Sequence, residues 1–326
     1  MKSKYLLVAL CFCCQMAMGQ QTNLFSFYRQ NWQFLSPAMP NWNDLQGCAQ
    51  YFTLNAAYRQ QWIGYKGSPA NYLVSFENML DPTYRASPVK WGFGVYGDHT
   101  DILSSNGAYA NYAYTFLLDR RLERKFHIGL NFGVMQQRLN FDGVRFHDNV
   151  PNDQLLTAWR ETPNRLYADV NVGAAYTYGR DFYVALSAPQ LINLGFSGGS
   201  NVFTPLRRQH INFLVGGAIQ NFHPSLWVRW VPRVSYSSIF ENNPISADLN
   251  VRYQIENRRD KILWLGLGAS TSKWLHVEVG IPNIFKQKKR NGDYQMSVGL
   301  AYDLPMSPLG ASLGQTVELN VGFTWE

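Results

Sequence analysis

The stretch QTVELNVGFTWE, residues 315–326, alternates apolar and polar side chains without a break. Its apolar side chains belong to every second residue, namely Val317, Leu319, Val321, Phe323 and Trp325. Because successive side chains of a β-strand point to opposite faces, this period of two predicts a strand with one apolar and one polar face. Such a strand fits either a soluble sheet or a closed barrel, whose last strand must pair with its first.

The same period of two recurs along the chain in segments of about 7–12 residues that are separated by turn-forming residues. We count fourteen such segments between residues 52 and 325. An even number of short alternating strands is what a transmembrane β-barrel requires, with apolar side chains towards lipid and polar or small ones towards the lumen. The side chains that we expect to point into the lumen include Asn55, Asn171, Asp248, Asn250, Arg252, Gln295 and Ser297.

The composition favours the barrel over a soluble β-sandwich, which would show a similar alternation. Aromatic residues make up 15% of the 326 residues and charged residues only 16%, whereas soluble domains carry about 25% charged residues. No run of about 20 apolar residues follows the first 19 residues, so no membrane-spanning helix is predicted. The predicted fold is therefore all-β: a transmembrane outer-membrane β-barrel of about 14 antiparallel strands with an N-terminal plug or lid segment.

The chain divides into three predicted parts. Residues 1–19 combine a positively charged start, a short apolar run and small residues before position 20, which is the pattern of a signal peptide. Residues 20–50 are too rich in aromatic side chains for a disordered tail, and we expect them to form a plug in the lumen or a lid on its periplasmic mouth. Residues 51–326 form the barrel. Cys48 would be the one cysteine of the mature chain, so no internal disulfide is expected.

Basic residues concentrate in three of the predicted connections. If both ends of the sheet lie in the periplasm, the longest connections, about 136–164 and 190–208, face outside, and the basic connections face inside. These basic turns either keep the rim hydrated or form a docking surface for an acidic periplasmic partner. The candidate docking residues are Arg120, Arg121, Arg258, Arg259, Lys288 and Lys289.

The sequence shows no motif of catalysis or of metal binding. Its six histidines are scattered, without an HExxH spacing, and there is no GxSxG. We expect no catalytic residue, cofactor, metal or nucleic-acid partner. Two glycine pairs mark lumen-facing or bulged positions where a plug can approach closely, namely Gly92 with Gly94 and Gly266 with Gly268.

One constellation lies where a strand meets a loop punctuated by Gly and Pro, at residues 58–69. Arg59 and Trp62 at this join suggest a cation–π contact, and the alternative is an interfacial Trp beside an Arg whose head reaches the membrane surface.

The pattern YRxQWxGxxGxP, followed by a strand with Ser-Phe, resembles the PorP/SprF family of outer-membrane proteins. Its members belong to the type IX secretion and gliding systems of Bacteroidota. The resemblance is carried by Tyr58, Arg59, Gln61, Trp62, Gly64, Gly67, Pro69, Ser75 and Phe76, and in the preceding segment by Phe25, Ser26, Tyr28, Leu35, Pro37 and Ala38.

The resemblance implies a non-enzymatic barrel of the outer membrane that supports the secretion or surface anchoring of cargo proteins. It implies as partners the outer-membrane lipids, a periplasmic lipoprotein of the kind that binds peptidoglycan, other components of the type IX system, and the cargo. The residues that it marks for packing of plug and barrel are Phe25, Tyr28, Leu35, Pro37, Tyr58, Arg59, Gln61, Trp62, Gly64, Gly67 and Pro69. A plugged fourteen-strand channel or transporter for small or hydrophobic molecules remains the alternative.

Overall fold

Fourteen β-strands among the described residues form one closed barrel in a computed structural model of the chain. The structure describes residues 25–41, 52–80, 89–119, 123–140, 164–179, 181–196, 209–230, 245–257, 260–271, 274–289, 292–306 and 314–325. A single helical turn, α1, comprises Trp32–Leu35. No helix within these ranges is long and apolar enough to cross a bilayer.

Each strand is antiparallel to its neighbours in the chain, and β14 closes the sheet on β1. The prediction of a fourteen-strand antiparallel barrel is therefore confirmed. The strands are β1 Phe52–Gln60, β2 Ala70–Leu80, β3 Val89–His99, β4 Leu103–Leu117, β5 Arg124–Leu139, β6 Asn164–Tyr178, β7 Phe182–Gly195, β8 Ile211–Gly217, β9 Phe222–Trp230, β10 Ile245–Asn257, β11 Asp260–Ser270, β12 Trp274–Lys289, β13 Gly292–Pro305 and β14 Thr316–Trp325.

The closing seam defines two ends of the barrel. Phe52 lies opposite Trp325 at one end of the seam, and Gln60 lies opposite Val317 at the other. We call these the proximal end and the distal end. Because neighbouring strands are antiparallel, odd-numbered strands run from the proximal to the distal end and even-numbered strands return. Closure leaves neither β1 nor β14 with an unpaired edge, as a sheet in lipid requires.

The alternation of side chains follows the sequence pattern. In β1, Leu54 and Tyr58 are 40% and 49% exposed on the outer face, whereas Asn55 and Arg59 are each 4% exposed on the lumen face. The other polar side chains that the sequence assigns to the lumen lie on the same inner face, by their register with buried neighbours. The outer surface is thus the apolar one, which suits a bilayer and not water.

Several strands extend further than the sequence predicts, because the alternation becomes irregular near their ends. The fourteen strands span 7 to 16 residues. Of these strands, β5 and β7 extend into the two longest predicted connections. At the proximal end, β12 reaches Lys289, which lies opposite Gly292 in β13. The expectation that Lys288 and Lys289 lie in a connection is therefore wrong, because both residues belong to β12.

The wall is irregular where β7 passes β8. The pairing of these strands ends where Ser187 faces Asn212, although β7 continues to Gly195. Beside this point the register between β6 and β7 shifts, and Gln190 adopts a positive φ of 57°. Pro189 has no N–H to donate to a ladder, which is why a bulge suits this position.

Candidate functional site

The N-terminal segment, residues 25–41, lies against inward-facing side chains of the barrel. It consists of turns and the helical turn α1, with almost every side chain buried. Of the sequence-derived site residues, Phe25, Tyr28, Leu35 and Pro37 belong to this segment and are buried. A short irregular segment leaves many backbone groups without helical or ladder partners, so the barrel has to supply them.

The first contact is an ion-pair cluster beside the closing seam. Arg59 of β1 lies 2.5 Å from Asp303 of β13 and 3.3 Å from Glu318 of β14, and all three side chains are buried. Glu318 accepts hydrogen bonds from the backbone N–H groups of Ser26 and Phe27, at 2.6 and 3.0 Å. Arg59 also donates to Ser26 Oγ at 2.8 Å. The cluster therefore ties three strands and the segment together.

This placement corrects the sequence interpretation in which the head of Arg59 reaches the membrane surface. The guanidinium does not reach towards the membrane surface, because it points into the lumen and pairs with carboxylates. Its partners there are charged side chains of β13 and β14, and Trp62 follows in the distal turn. Sequence reasoning named Arg59 but missed Asp303 and Glu318. A signal was available in the sequence, because each carboxylate occupies a lumen position of an alternating strand. A buried carboxylate needs a cation beside it.

A second charged contact lies on β10 and β12, beside the strands of the first. Arg252 donates from Nε to Glu278 at 2.6 Å, and its terminal nitrogen donates to Gln30 of the segment at 3.1 Å. The rings of Phe27 and Trp264 lie 5.4 Å from the Arg252 guanidinium. At this distance a guanidinium is attracted electrostatically to the face of an aromatic ring. Arg252 thus links the barrel wall to the segment by both a hydrogen bond and ring contacts.

Backbone carbonyls of the segment are satisfied by side chains from strands around the barrel. The donors are amide, hydroxyl and ammonium groups, which the sequence analysis did not single out as contacts of the segment. The bonds run from Asn131 to Gln33 O, from Ser187 and Asn212 to Leu35 O, from Asn111 to Pro37 O, from Lys90 to Met39 O and from Arg29 back to His223 O and Asn250 O. Such side-chain partners replace the ladder that an irregular segment lacks.

Aromatic side chains of the segment pack against aromatic side chains of the wall. Trp32 lies 5.0 Å from Tyr183 between ring centroids, and Phe34 lies 5.1 Å from Tyr96. Tyr28 contacts Trp227 at 6.2 Å and shares a hydrogen bond with Ser225. Burial raises the pKa of the Tyr28 hydroxyl above its ordinary value, so this group stays neutral. Polar and aromatic contacts together bind the segment to the inner face of the barrel.

Glycine permits the closest approach of segment and wall. A Cβ added to Gly129 would overlap the backbone of Pro37, and one added to Gly173 would lie 2.9 Å from Ser36 Oγ. Of the glycines that the sequence suggested, Gly92 lies near Gln33 of the segment, at 3.2 Å from its added Cβ. At Gly94, Gly266 and Gly268 the nearest groups are side chains of neighbouring strands, so the expected approach does not occur there.

The motif of residues 58–69 forms the distal turn between β1 and β2. Trp62 has a φ of 51°, and Gly64 and Gly67 have φ values of 96° and 78°, which glycine adopts without strain. The N–H of Gln61 donates to the carbonyl of Pro69 at 2.9 Å, and Tyr58 points outward from β1. The Ile63 N–H donates to Gln315 O, which ties the turn to the start of β14. The motif therefore shapes the barrel's distal rim beside the seam.

Strand order assigns the candidate docking residues to the proximal end of the barrel. Arg120, Arg121, Arg258 and Arg259 fall outside the described residues, in the connections that follow β4 and β10. Lys288 and Lys289 form the end of β12, and their side chains are outside the description. The three connections share one end of the barrel because β4, β10 and β12 all run towards the proximal end. Within the described ranges, no three His, Cys, Asp or Glu side chains are grouped as metal ligands.

A family model for the type IX secretion system membrane protein PorP/SprF matches residues 17–323. The chain belongs to this family. It is accordingly an outer-membrane component of the type IX secretion system, and the barrel crosses that membrane with many strands. A search of curated proteins found no matching relative.

Solved structures with low similarity to this family member include other barrels. The TodX deltaS2S3 mutant monoaromatic hydrocarbon channel is 9% identical, with a TM-score of 0.45 over 95% of this chain and 96% of that one. The Pseudomonas putida toluene transporter TodX is 8% identical, with a TM-score of 0.42 and the same coverage. The KdgM porin is 10% identical, with a TM-score of 0.32 over 84% of this chain and 98% of that one. These similarities are too low to support an argument about function.

Proposed function

We propose that this PorP/SprF protein is a sealed, non-enzymatic scaffold of the secretion machine, in which residues 20–50 include a plug. The observation that supports the proposal best is the Arg59 cluster, where Glu318 binds two consecutive backbone N–H groups of the segment. Removing one partner from a buried ion pair is costly, because it leaves an uncompensated charge. A segment anchored in this way stays in place and leaves the two rims as the working surfaces.

The proximal rim is the surface that we assign to a periplasmic partner. The termini of the sheet lie at this end, and the basic connections after β4, β10 and β12 follow strands that run towards it. If this end faces the periplasm, the surface offers positive charge to an acidic face of a peptidoglycan-associated lipoprotein or of another type IX component. The distal rim then faces the cell exterior and is available for the secretion or anchoring of cargo.

Conductance separates the scaffold from the alternative of a channel. In planar bilayers we expect the wild-type barrel to carry no steady current, because the segment fills the lumen. Glu318→Ala should produce opening events, since it removes the acceptor of Ser26 and Phe27 and leaves Arg59 with one carboxylate. Glu123→Ala is the matched control, because Glu123 is exposed at the proximal end. A steady wild-type current would overturn the sealed scaffold and favour the channel.

Co-purification tests the docking surface itself. A barrel with an affinity tag between residues 141 and 163 should recover a periplasmic lipoprotein in stoichiometric amount. Reversing the charges of Arg258, Arg259, Lys288 and Lys289 to Glu should reduce that recovery at least fivefold. The control reverses Lys66 and Arg138, which lie at the distal end. Equal recovery in the two charge-reversed proteins would rule out proximal docking through these residues.

A further inference from the structure

A row of side chains that are polar, apart from Ala70, faces outward near the distal end of β1 to β6. The sheet register places these residues opposite one another from strand to strand. All lie on the outer face, because their neighbours in sequence, such as Arg59 and Ser105, are buried in the lumen. The row consists of Gln60, Ala70, His99, Ser104, Arg138 and Asn164.

The next outward row brings further polar groups into contact with the first. Ser104 Oγ lies 2.8 Å from His99 Nδ1, and Asn106 donates to Ser104 Oγ at 3.5 Å. Tyr72 donates to Asn106 Oδ1 at 2.8 Å, and its ring stacks on that of His99 at 5.8 Å. These side chains therefore form an organised cluster. The distal polar patch is defined as Tyr72, His99, Ser104, Asn106, Gln136 and Arg138.

The third outward row marks the start of the hydrocarbon region. Directly below the patch, the register aligns Val74, Val95, Ala108 and Val134 on the outer face. A lipid whose acyl chain lies along these side chains places its headgroup beside the patch. The height of the patch on the barrel thus corresponds to the headgroups of one leaflet.

Among the described residues, the opposite side of the barrel carries apolar pairs at the same end. At the distal end, the last outward-facing pair of β9 and β10 is Trp230 with Ile245. The corresponding outward-facing pair of β12 and β13 is Leu275 with Leu304. A polar belt needed only for the membrane interface would be expected on both sides. The asymmetry indicates that the polar groups on β2 to β5 meet a specific ligand.

We propose that the distal polar patch binds the anionic, phosphate-bearing headgroup of a lipid in the distal leaflet. Arg138 supplies an exposed guanidinium directly opposite Ser104, and Gln136 supplies an amide in the neighbouring outward position. Arginine and amide or hydroxyl donors together suit phosphate oxygens. The patch contains no carboxylate. The nearby Asp101 lies in the β3–β4 turn, where its side chain packs beside Gly67 of the β1–β2 turn.

Native mass spectrometry of the delipidated full-length protein in detergent tests this site. The probes are phosphatidylglycerol, phosphatidylcholine and inorganic phosphate. We expect one phosphatidylglycerol molecule to be retained more tightly than the rest, and at least fivefold more tightly than phosphatidylcholine. The His99→Gln/Arg138→Gln variant should weaken this adduct at least fivefold. Arg124→Gln is the matched control because Arg124 is an exposed arginine of the same strand, at its proximal end beside Tyr178.

The control variant should weaken the adduct less than twofold. An unchanged adduct in the double variant, or equal losses in both variants, would overturn the proposal, because binding would then be absent from the patch or general to basic residues. Equal retention of phosphatidylcholine would exclude recognition of anionic headgroups. Displacement by millimolar inorganic phosphate would assign the patch to the free anion. Heat-dependent mobility on gels verifies that each variant remains a folded barrel.

Discussion

Arg59 illustrates how one residue connects sequence, packing and closure. It lies between Asp303 and Glu318, and each carboxylate would face the other if the guanidinium were removed. We predict that Arg59→Met destabilises the protein by about 3–5 kcal/mol, the usual cost of breaking a buried ion pair. The measurement is the midpoint of urea unfolding, followed by tryptophan fluorescence.

Two further variants sharpen this residue-scale prediction. Arg124→Met removes an exposed arginine and should shift the midpoint little, because exposed charges contribute little to stability. Adding Asp303→Asn and Glu318→Gln to Arg59→Met removes the unpaired charges, so this triple variant should regain part of the loss. If the single variant at Arg59 unfolds like wild type, the cluster does not contribute to stability.

At the scale of elements, β7 is the strand whose pairing is least complete among those described. Six register pairs join it to β8, from Phe182 with Gly217 to Ser187 with Asn212. In contrast, β5 pairs along almost its whole length with both β4 and β6. We predict faster amide hydrogen exchange in residues 188–195 than in residues 126–137, measured by mass spectrometry in detergent micelles. Equal protection would show that another partner covers this edge of β7.

At the scale of the whole molecule, closure of the barrel requires β1 and β14 to pair in one particular register. Ala56 faces Val321 across the β1–β14 seam, on the outer surface. Cysteines at these two positions, in a Cys48→Ser background, should form a disulfide that alters the mobility of the denatured, non-reduced chain. Cysteines at Ala56 and Phe323 are two positions out of register and should cross-link much less. Equal cross-linking of both pairs would contradict the register of the seam.

The barrel could be predicted from the sequence because the alternation that specifies it lies within each strand. Leu54 and Asn55 already differ in polarity, and a period of two is enough to assign one to lipid and the other to the lumen. Strand ends were less predictable, as Lys288 and Lys289 show, because pairing with β13 continues after the alternation has become irregular. The charges at 120–121 and 258–259 lie outside the described residues, and their role stays a prediction.

The interior contacts could not be derived from the sequence. Ser26 and Glu318 are 292 positions apart, and their hydrogen bond depends on the register of every strand between them. The motif around Arg59 indicated that the position matters, but its partners required the closed barrel. Similarly, His99 and Ser104 look unremarkable in sequence and meet only because a short turn joins β3 to β4.

The hydrogen bonds that Glu318 accepts from Ser26 and Phe27 also constrain the order of assembly. Ribosomes synthesise the segment before any strand, yet its acceptor belongs to the fourteenth strand. The two backbone N–H groups can therefore reach this acceptor only after the last strand has entered the sheet. The same step that closes the barrel then completes the anchoring of the segment beside the seam.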